Sequence, residues 1–173
     1  MPKNILLIEL GTPKNLDELL KIADGCSEGV FPIPMSRSSL IRSLRGLIKS
    51  GLIHEISPNK YSLSQKGEME RRKLFATLIS SFEPILKALA KRFDLSKPFD
   101  ESLLPLYDEL FKTIKESVVT HKICYKSLVN ALSEVYPEVA IKSLFALALA
   151  AVAKRNKDLD LLKDLIVTVS LTF

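Results

Sequence analysis

Cys26, Cys124, His54 and His121 are the whole supply of thiols and imidazoles in this 173-residue chain. Nucleophiles, general bases and soft-metal sites are most readily built from such groups. His121 and Cys124 stand three residues apart, so they could approach one another on a helix. No acid stands in a recognisable position to orient the histidine as a base, and the two read as unrelated side chains. Two cysteines are too few for a disulfide scaffold or a cysteine-rich zinc site. Cys26, in a loop-like stretch, reads as a small apolar filler. The chain also lacks a Gly-rich phosphate loop, metal-ligand spacing and a recognisable pair of catalytic carboxylates. The expectation is a protein that binds rather than catalyses, with no metal and no cofactor.

Charge gives the binding expectation a location. The formal net charge is +5, from 25 basic and 20 acidic residues. Between Ser36 and Lys73 there are nine basic residues against three acidic ones, a net +6. The hundred residues from Leu74 onward hold 13 basic and 12 acidic residues, a net +1, which leaves −2 for the first 35. The excess is therefore one basic block on a nearly neutral chain, the pattern of a localised phosphate-binding surface.

Within that block, Leu40, Ile41, Leu44, Leu47 and Ile48 follow the spacing of one helical face. At about 100° per residue, they fall in a single sector. Ser38, Ser39, Arg42, Arg45 and Lys49 occupy the opposite one, with no acid among them. Like charges at such spacings repel, and a helix without a polyanionic partner would more often interleave a glutamate. Ser36 is placed to cap this helix, which runs over residues 36–50 and stops at Gly51.

The elements around it follow from local signals. Ile5, Leu6 and Ile8 predict a short first helix ended at Gly11. Asn15 and Glu18 have capping-box spacing for a second helix, with Leu16, Leu19, Leu20 and Ala23 on one face. Gly25, Gly29, Pro32 and Pro34 mark residues 25–34 as a loop. Alternation around Pro58-Asn59 predicts a β-hairpin over residues 54–64, closed by Gln65-Lys66-Gly67. A further helix begins near Glu68.

This order resembles the winged helix-turn-helix of prokaryotic and archaeal transcription regulators of the broad PadR and MarR type. Two stretches carry the resemblance. One is Ser36 to Ile53, similar to a recognition helix that ends in Gly-Leu-Ile. The other is Tyr61-Ser62-Leu63-Ser64-Gln65-Lys66-Gly67, similar to the end of the wing. The resemblance implies that helix 36–50 enters the major groove of double-stranded DNA, with wing 54–64 on the backbone or minor groove. It places Arg37, Ser38, Ser39, Arg42, Arg45 and Lys49 toward DNA, with Asn59 and Lys60 at the wing tip and Lys66 beside it. Arg42 and Arg45 suit guanine edges; Lys49, Lys60 and Lys66 suit phosphates. The 11-residue stretch from Gly25 to Met35 is long for a tight helix-turn-helix turn.

From Leu74 the periodicity is helical. Leu74, Leu78, Phe82, Leu86 and Leu89 lie on one stripe, in which Pro84 should kink or split the helix. Pro98 marks a linker over residues 94–100. A helix follows with Pro105 in its first turn, then one from about Tyr125 to Tyr136 stopped by Pro137. Residues 139–153 are apolar nearly all round, as in a buried central helix. Residues 165–173 alternate as a strand would, without an obvious partner.

The expected architecture is mainly α. A winged helix-turn-helix domain spans residues 1–73, and an all-helical domain for dimerisation or regulation spans 74–173. The expected function is DNA-binding transcriptional regulation by a homodimer joined through the C-terminal helices. The alternative is a protein-interaction adaptor on the same scaffold. The helical half could also enclose a small apolar effector, although the aromatic stripes fit plain core better. The most apolar run is too short to span a membrane, and no signal-peptide pattern is present, so a soluble, cytoplasmic protein is the expectation.

Overall fold

A computed structural model describes residues 3–27, 36–94 and 100–160 of the chain. Helix α1 (Lys3–Glu9) leads to a two-residue strand β1 (Lys14–Asn15), then α2 (Leu16–Ser27) and α3 (Arg37–Lys49). Strands β2 (Ile53–Ser57) and β3 (Lys60–Leu63) form a hairpin. Then come α4 (Gln65–Arg92), a 3-10 turn over Glu101–Leu103, α5 (Leu104–Thr120), α6 (Tyr125–Ser133) and α7 (Glu138–Asn156). The fold is mainly helical, with one small antiparallel sheet in the order β1-β3-β2.

Local chemistry accounts for most of these boundaries. The Asn15–Glu18 capping box forms in both directions. The Glu18 N–H donates to Asn15 Oδ1 at 2.9 Å, and the Asn15 N–H donates to Glu18 Oε2 at 2.6 Å. Two orphan N–H groups at the start of α2 are thereby satisfied. Ser36 caps α3 by accepting the Ser39 N–H at 3.2 Å. At the other end, the Leu52 N–H bonds to the Leu47 carbonyl and the Gly51 N–H to the Ile48 carbonyl. That pairing requires the left-handed φ of +70° that Gly51 supplies. Pro105 lies in the first turn of α5.

Several boundaries differ from expectation. Strand β1 lies where the sequence shows only the approach to a helix; two residues are too few for alternation to register. Helix α2 continues through Gly25 to Ser27, because Ala23 and Cys26 are buried and hold its last turn. The rest of the expected loop, residues 28–34, lies outside the described residues. Helix α4 starts at Gln65 and does not split at Pro84. Interior proline costs about 3 kcal/mol. Pro84 itself is exposed, while Phe82, Ile85, Leu86 and Leu89 beside it are buried, and that burial outweighs the cost. The strand expected over 165–173 also lies outside the described residues.

Two apolar clusters organise the interior. The smaller gathers Leu6, Leu10, Leu19, Leu40, Leu44, Leu47, Leu52 and Ile53. The larger is built from α4–α7 around Phe82, Tyr107 and Phe145, and it takes in Ile5, Ile8 and Cys26 as well. Helix α7 packs against both α5 and α6, as its nearly all-round apolarity requires. No helix among the described residues is long and apolar enough to cross a membrane.

Cys26 is not a filler. It forms a disulfide with Cys124, the residue that caps α6, across 98 residues of sequence. The bond fastens the end of α2 to the helical half and leaves no free cysteine. It also removes the free thiol from the His121–Cys124 neighbourhood. Closing a loop this long restricts the unfolded chain, an effect worth up to about 4–5 kcal/mol. Reduction with dithiothreitol should therefore shift the urea midpoint to clearly lower concentration. The Cys26→Ala, Cys124→Ala double variant should show the same shift and no further loss on reduction.

Candidate nucleic-acid interface

Helix α3 presents two faces, as its spacing requires. Leu40, Leu44 and Leu47 are buried in the smaller cluster, whereas Arg37, Ser38, Arg42, Arg45 and Lys49 are exposed and Ser39 is half-buried. The apolar stripe is narrower than its pattern suggests. Ile41 is half-buried and Ile48 is 40% exposed, at the edge of the charged face.

The two serines have a local role. Ser36 Oγ lies 2.9 Å from Ser38 Oγ and donates to Ser39 Oγ at 3.0 Å. These hydroxyls thus close around the N-cap and join the first turn of α3. Their position beside Arg37 is as expected, but their hydrogen-bonding capacity is partly used within the protein.

The hairpin tip is set by backbone conformation. Asn59 has φ of +60°, a region Asn tolerates better than most residues. Its N–H donates to Glu55 Oε1 at 2.6 Å, and its carbonyl accepts the Leu16 N–H at 2.9 Å. Lys60 beside it is exposed. Arg45 of α3 reaches this hairpin electrostatically. Burial and the Glu55 carboxylate push the Tyr61 hydroxyl above its usual range, and the Arg45 guanidinium opposes them. Helix α3 also packs against strand β2 of the hairpin.

Lys66 has a structural contact that its expected role did not include. Its Nζ donates to the Ser50 carbonyl at 3.1 Å, so it caps the end of α3 as well as carrying charge. It is one part of a seam between α3 and α4. Ser64 Oγ accepts the Gly67 N–H at 3.0 Å and donates to the Gly51 carbonyl at 2.6 Å. The Ser64 N–H donates to the Leu52 carbonyl at 3.0 Å. Gly67 sits so close that a Cβ there would lie 1.9 Å from that same Leu52 oxygen. The Ser64-Gln65-Lys66-Gly67 sequence thus locks the helix that follows the hairpin onto the end of α3.

Pairing divides the basic block into two populations. Arg71 meets Glu68 and Glu134, Arg72 meets Glu68, and Lys73 meets Glu70. Among the described residues, Arg37, Arg42, Arg45, Lys49, Lys60 and Lys66 form no ion pair. The unpaired cations are the ones on α3, on the hairpin tip and at the seam. With Glu55 as the acid on the hairpin, such a surface keeps a net positive charge and can hold a polyanion. Among the described residues no group of His, Cys, Asp or Glu could hold a metal ion.

Gly67→Ala forces a backbone shift against the Leu52 carbonyl. It should destabilise the protein by roughly 3 kcal/mol, read as a lowered urea midpoint, whereas Lys66→Ala should cost only about 1 kcal/mol. Comparison with protein-family models, curated proteins and solved structures finds no match for this chain.

Proposed function

We propose that the protein is a DNA-binding transcriptional regulator of winged helix-turn-helix type. In this proposal α3 lies in the major groove and the β2–β3 hairpin is the wing on the backbone or minor groove. The observation that carries it is the division of the basic block. Cations on the exposed face of α3 and on the hairpin tip have no acidic partner, while those that follow are neutralised within the fold. Arg42 and Arg45 are the base-reading candidates, since guanidinium can meet guanine O6 and N7 together. Arg37, Lys49 and Lys60 are phosphate contacts, and Lys66 adds charge from its capping position. Asn59 shapes the wing tip. Ser38 and Ser39 order the first turn that Arg37 flanks.

Homodimerisation through the C-terminal helices belongs to the same proposal, because two-fold proteins read paired half-sites about one DNA turn apart. Val119, Val135 and Val139 are large apolar side chains left exposed in that half, and a second copy would cover such surface. A DNA partner goes with a cytoplasmic location. There the Cys26–Cys124 bond would face a reducing thiol pool.

Binding to a 30-base-pair duplex should weaken steeply with salt. Each neutralised phosphate contributes about −0.9 to the log–log slope, so five or six cations give roughly −4.5 to −5.5 per protomer and about twice that for a dimer on both half-sites. The Arg42→Ala, Arg45→Ala double variant should bind at least 100-fold more weakly and keep its unfolding midpoint, since both side chains are exposed. Undiminished binding by that variant would sink the assigned face. Absence of any salt-sensitive binding would favour the adaptor alternative. Sedimentation equilibrium should return twice the 19.3 kDa chain mass; a strict monomer would remove the dimer.

A further inference from the structure

Glu9, the last residue of α1, is only 5% exposed. Its Oε1 accepts from Ser127 Oγ at 3.0 Å and from Asn130 Nδ2 at 3.3 Å. Both donors are neutral, and no cation among the described residues forms an ion pair with it. A carboxylate taken out of water without a counter-charge is costly. Lys14 is the converse case. Its Nζ donates to the Glu9 backbone carbonyl at 2.5 Å and to the Thr12 hydroxyl at 2.9 Å, with no carboxylate partner. Glu9 and Lys14 both belong to the wall of one cleft, and no ion pair joins them.

The cleft has a volume of about 440 Å³, within the range of sites that hold small molecules. It lies where α1 and the turn before β1 meet α4 and α6. Arg71 and Glu134 line it as well, and these two pair with each other across α4 and α6. Arg71 is itself 9% exposed, and its Nε is a buried donor without an acceptor. Gly11 leaves room for that guanidinium, since a Cβ there would come within 2.5 Å of it. Ile8 supplies an apolar portion of the wall.

We propose that this cleft binds a small zwitterion of the α-amino-acid class. The ligand's ammonium group meets the Glu9 carboxylate, and its carboxylate meets the Lys14 ammonium. Arg71 is met by Glu134 and also by Glu68 outside the wall, so the wall residues without an ion pair are one of each sign, Glu9 and Lys14. An inorganic anion would face Glu9 unfavourably, and a simple cation would face Lys14. The effector site is thus polar and lies between the two halves. It is distinct from an apolar enclosure within the C-terminal helices, whose aromatic stripes fit plain core. The proposal stands on the cleft alone and does not require DNA binding.

Isothermal titration calorimetry of the full oxidised chain with each of the twenty common amino acids tests this directly. At least one should bind with a Kd below about 1 mM. Its N-acetyl and decarboxylated counterparts, each lacking one charge, should bind at least tenfold more weakly. Glu9→Gln keeps the two hydrogen bonds but removes the charge, and it should weaken binding tenfold or more. Should that variant fail to fold, Lys14→Gln at the half-exposed opposite end should show the same loss. No binding by any amino acid at 10 mM would overturn the proposal. So would equal binding of the single-charge counterparts, or full affinity in a folded Glu9→Gln or Lys14→Gln variant. The measurement contains no DNA, so its failure leaves the DNA-binding reading untouched.

Discussion

The rest of the structure depends on the burial of α1 on all its sides. Ile5, Leu6, Leu7, Ile8, Glu9 and Leu10 are all buried. A seven-residue helix is too short to hold itself together in water, so its stability comes from what surrounds it. Ile5 and Ile8 enter the larger cluster, and Leu6 and Leu10 enter the smaller. One turn of helix is therefore shared by both interiors. Neither cluster can complete its packing unless α1 is in place, and α1 has no reason to form until both are present. This reciprocal requirement couples the basic half to the helical half more tightly than a linker would.

A second constraint operates at the end of α3. The Leu52 carbonyl accepts the Ser64 N–H, and Gly67 packs directly against it. Lys66 and Ser64 satisfy the Ser50 and Gly51 carbonyls just before it. Carbonyls at a helix terminus need such partners. Here they come from the first turn of the next long helix, so α3 and α4 hold a fixed relation with the hairpin between them. The exposed cations on α3 and the hairpin tip are consequently presented by a rigid frame. A frame held that way loses little backbone freedom on meeting a partner, which favours recognition, although each exposed side chain still loses rotamer freedom.

Much of this was legible in the sequence wherever the cause was local. The capping box at Asn15 and Glu18, the Ser36 cap, the Gly51 stop and the turn at Asn59 each depend on a few neighbouring residues. The exposed face of α3 follows from spacing alone. Non-local causes left no such trace. Glu68 meets Arg71 from three residues away, but Glu134, which also neutralises it, lies 63 residues away and leaves no trace near it. Cys26 and Cys124 are 98 residues apart, and a count of two cysteines cannot say whether they meet. Strand β1 is pairing imposed by β3 rather than a propensity of Lys14 and Asn15. Even Ile48 misled, because apolar spacing marks a face without saying whether anything covers it; it is 40% exposed.

The seam between the halves is also where the few buried polar groups converge, and their arrangement is informative. Ser127 is wholly buried and donates its hydroxyl to Glu9 of α1 at 3.0 Å. The same oxygen lies 3.2 Å from Cys124 Sγ and 3.9 Å from Cys26 Sγ. One side chain thus touches the last residue of α1, the end of α2 and the cap of α6. Apolar packing alone would let such elements slide, since dispersion contacts are many and individually weak. A buried carboxylate and its donors have a narrow geometric tolerance, because a lost partner leaves a desolvated charge exposed to its full penalty. The polar contacts at this seam therefore set the register that the apolar clusters then fill. Displacing α1, α2 or α6 separately would break the same Ser127-centred contacts, so the three elements move together or not at all.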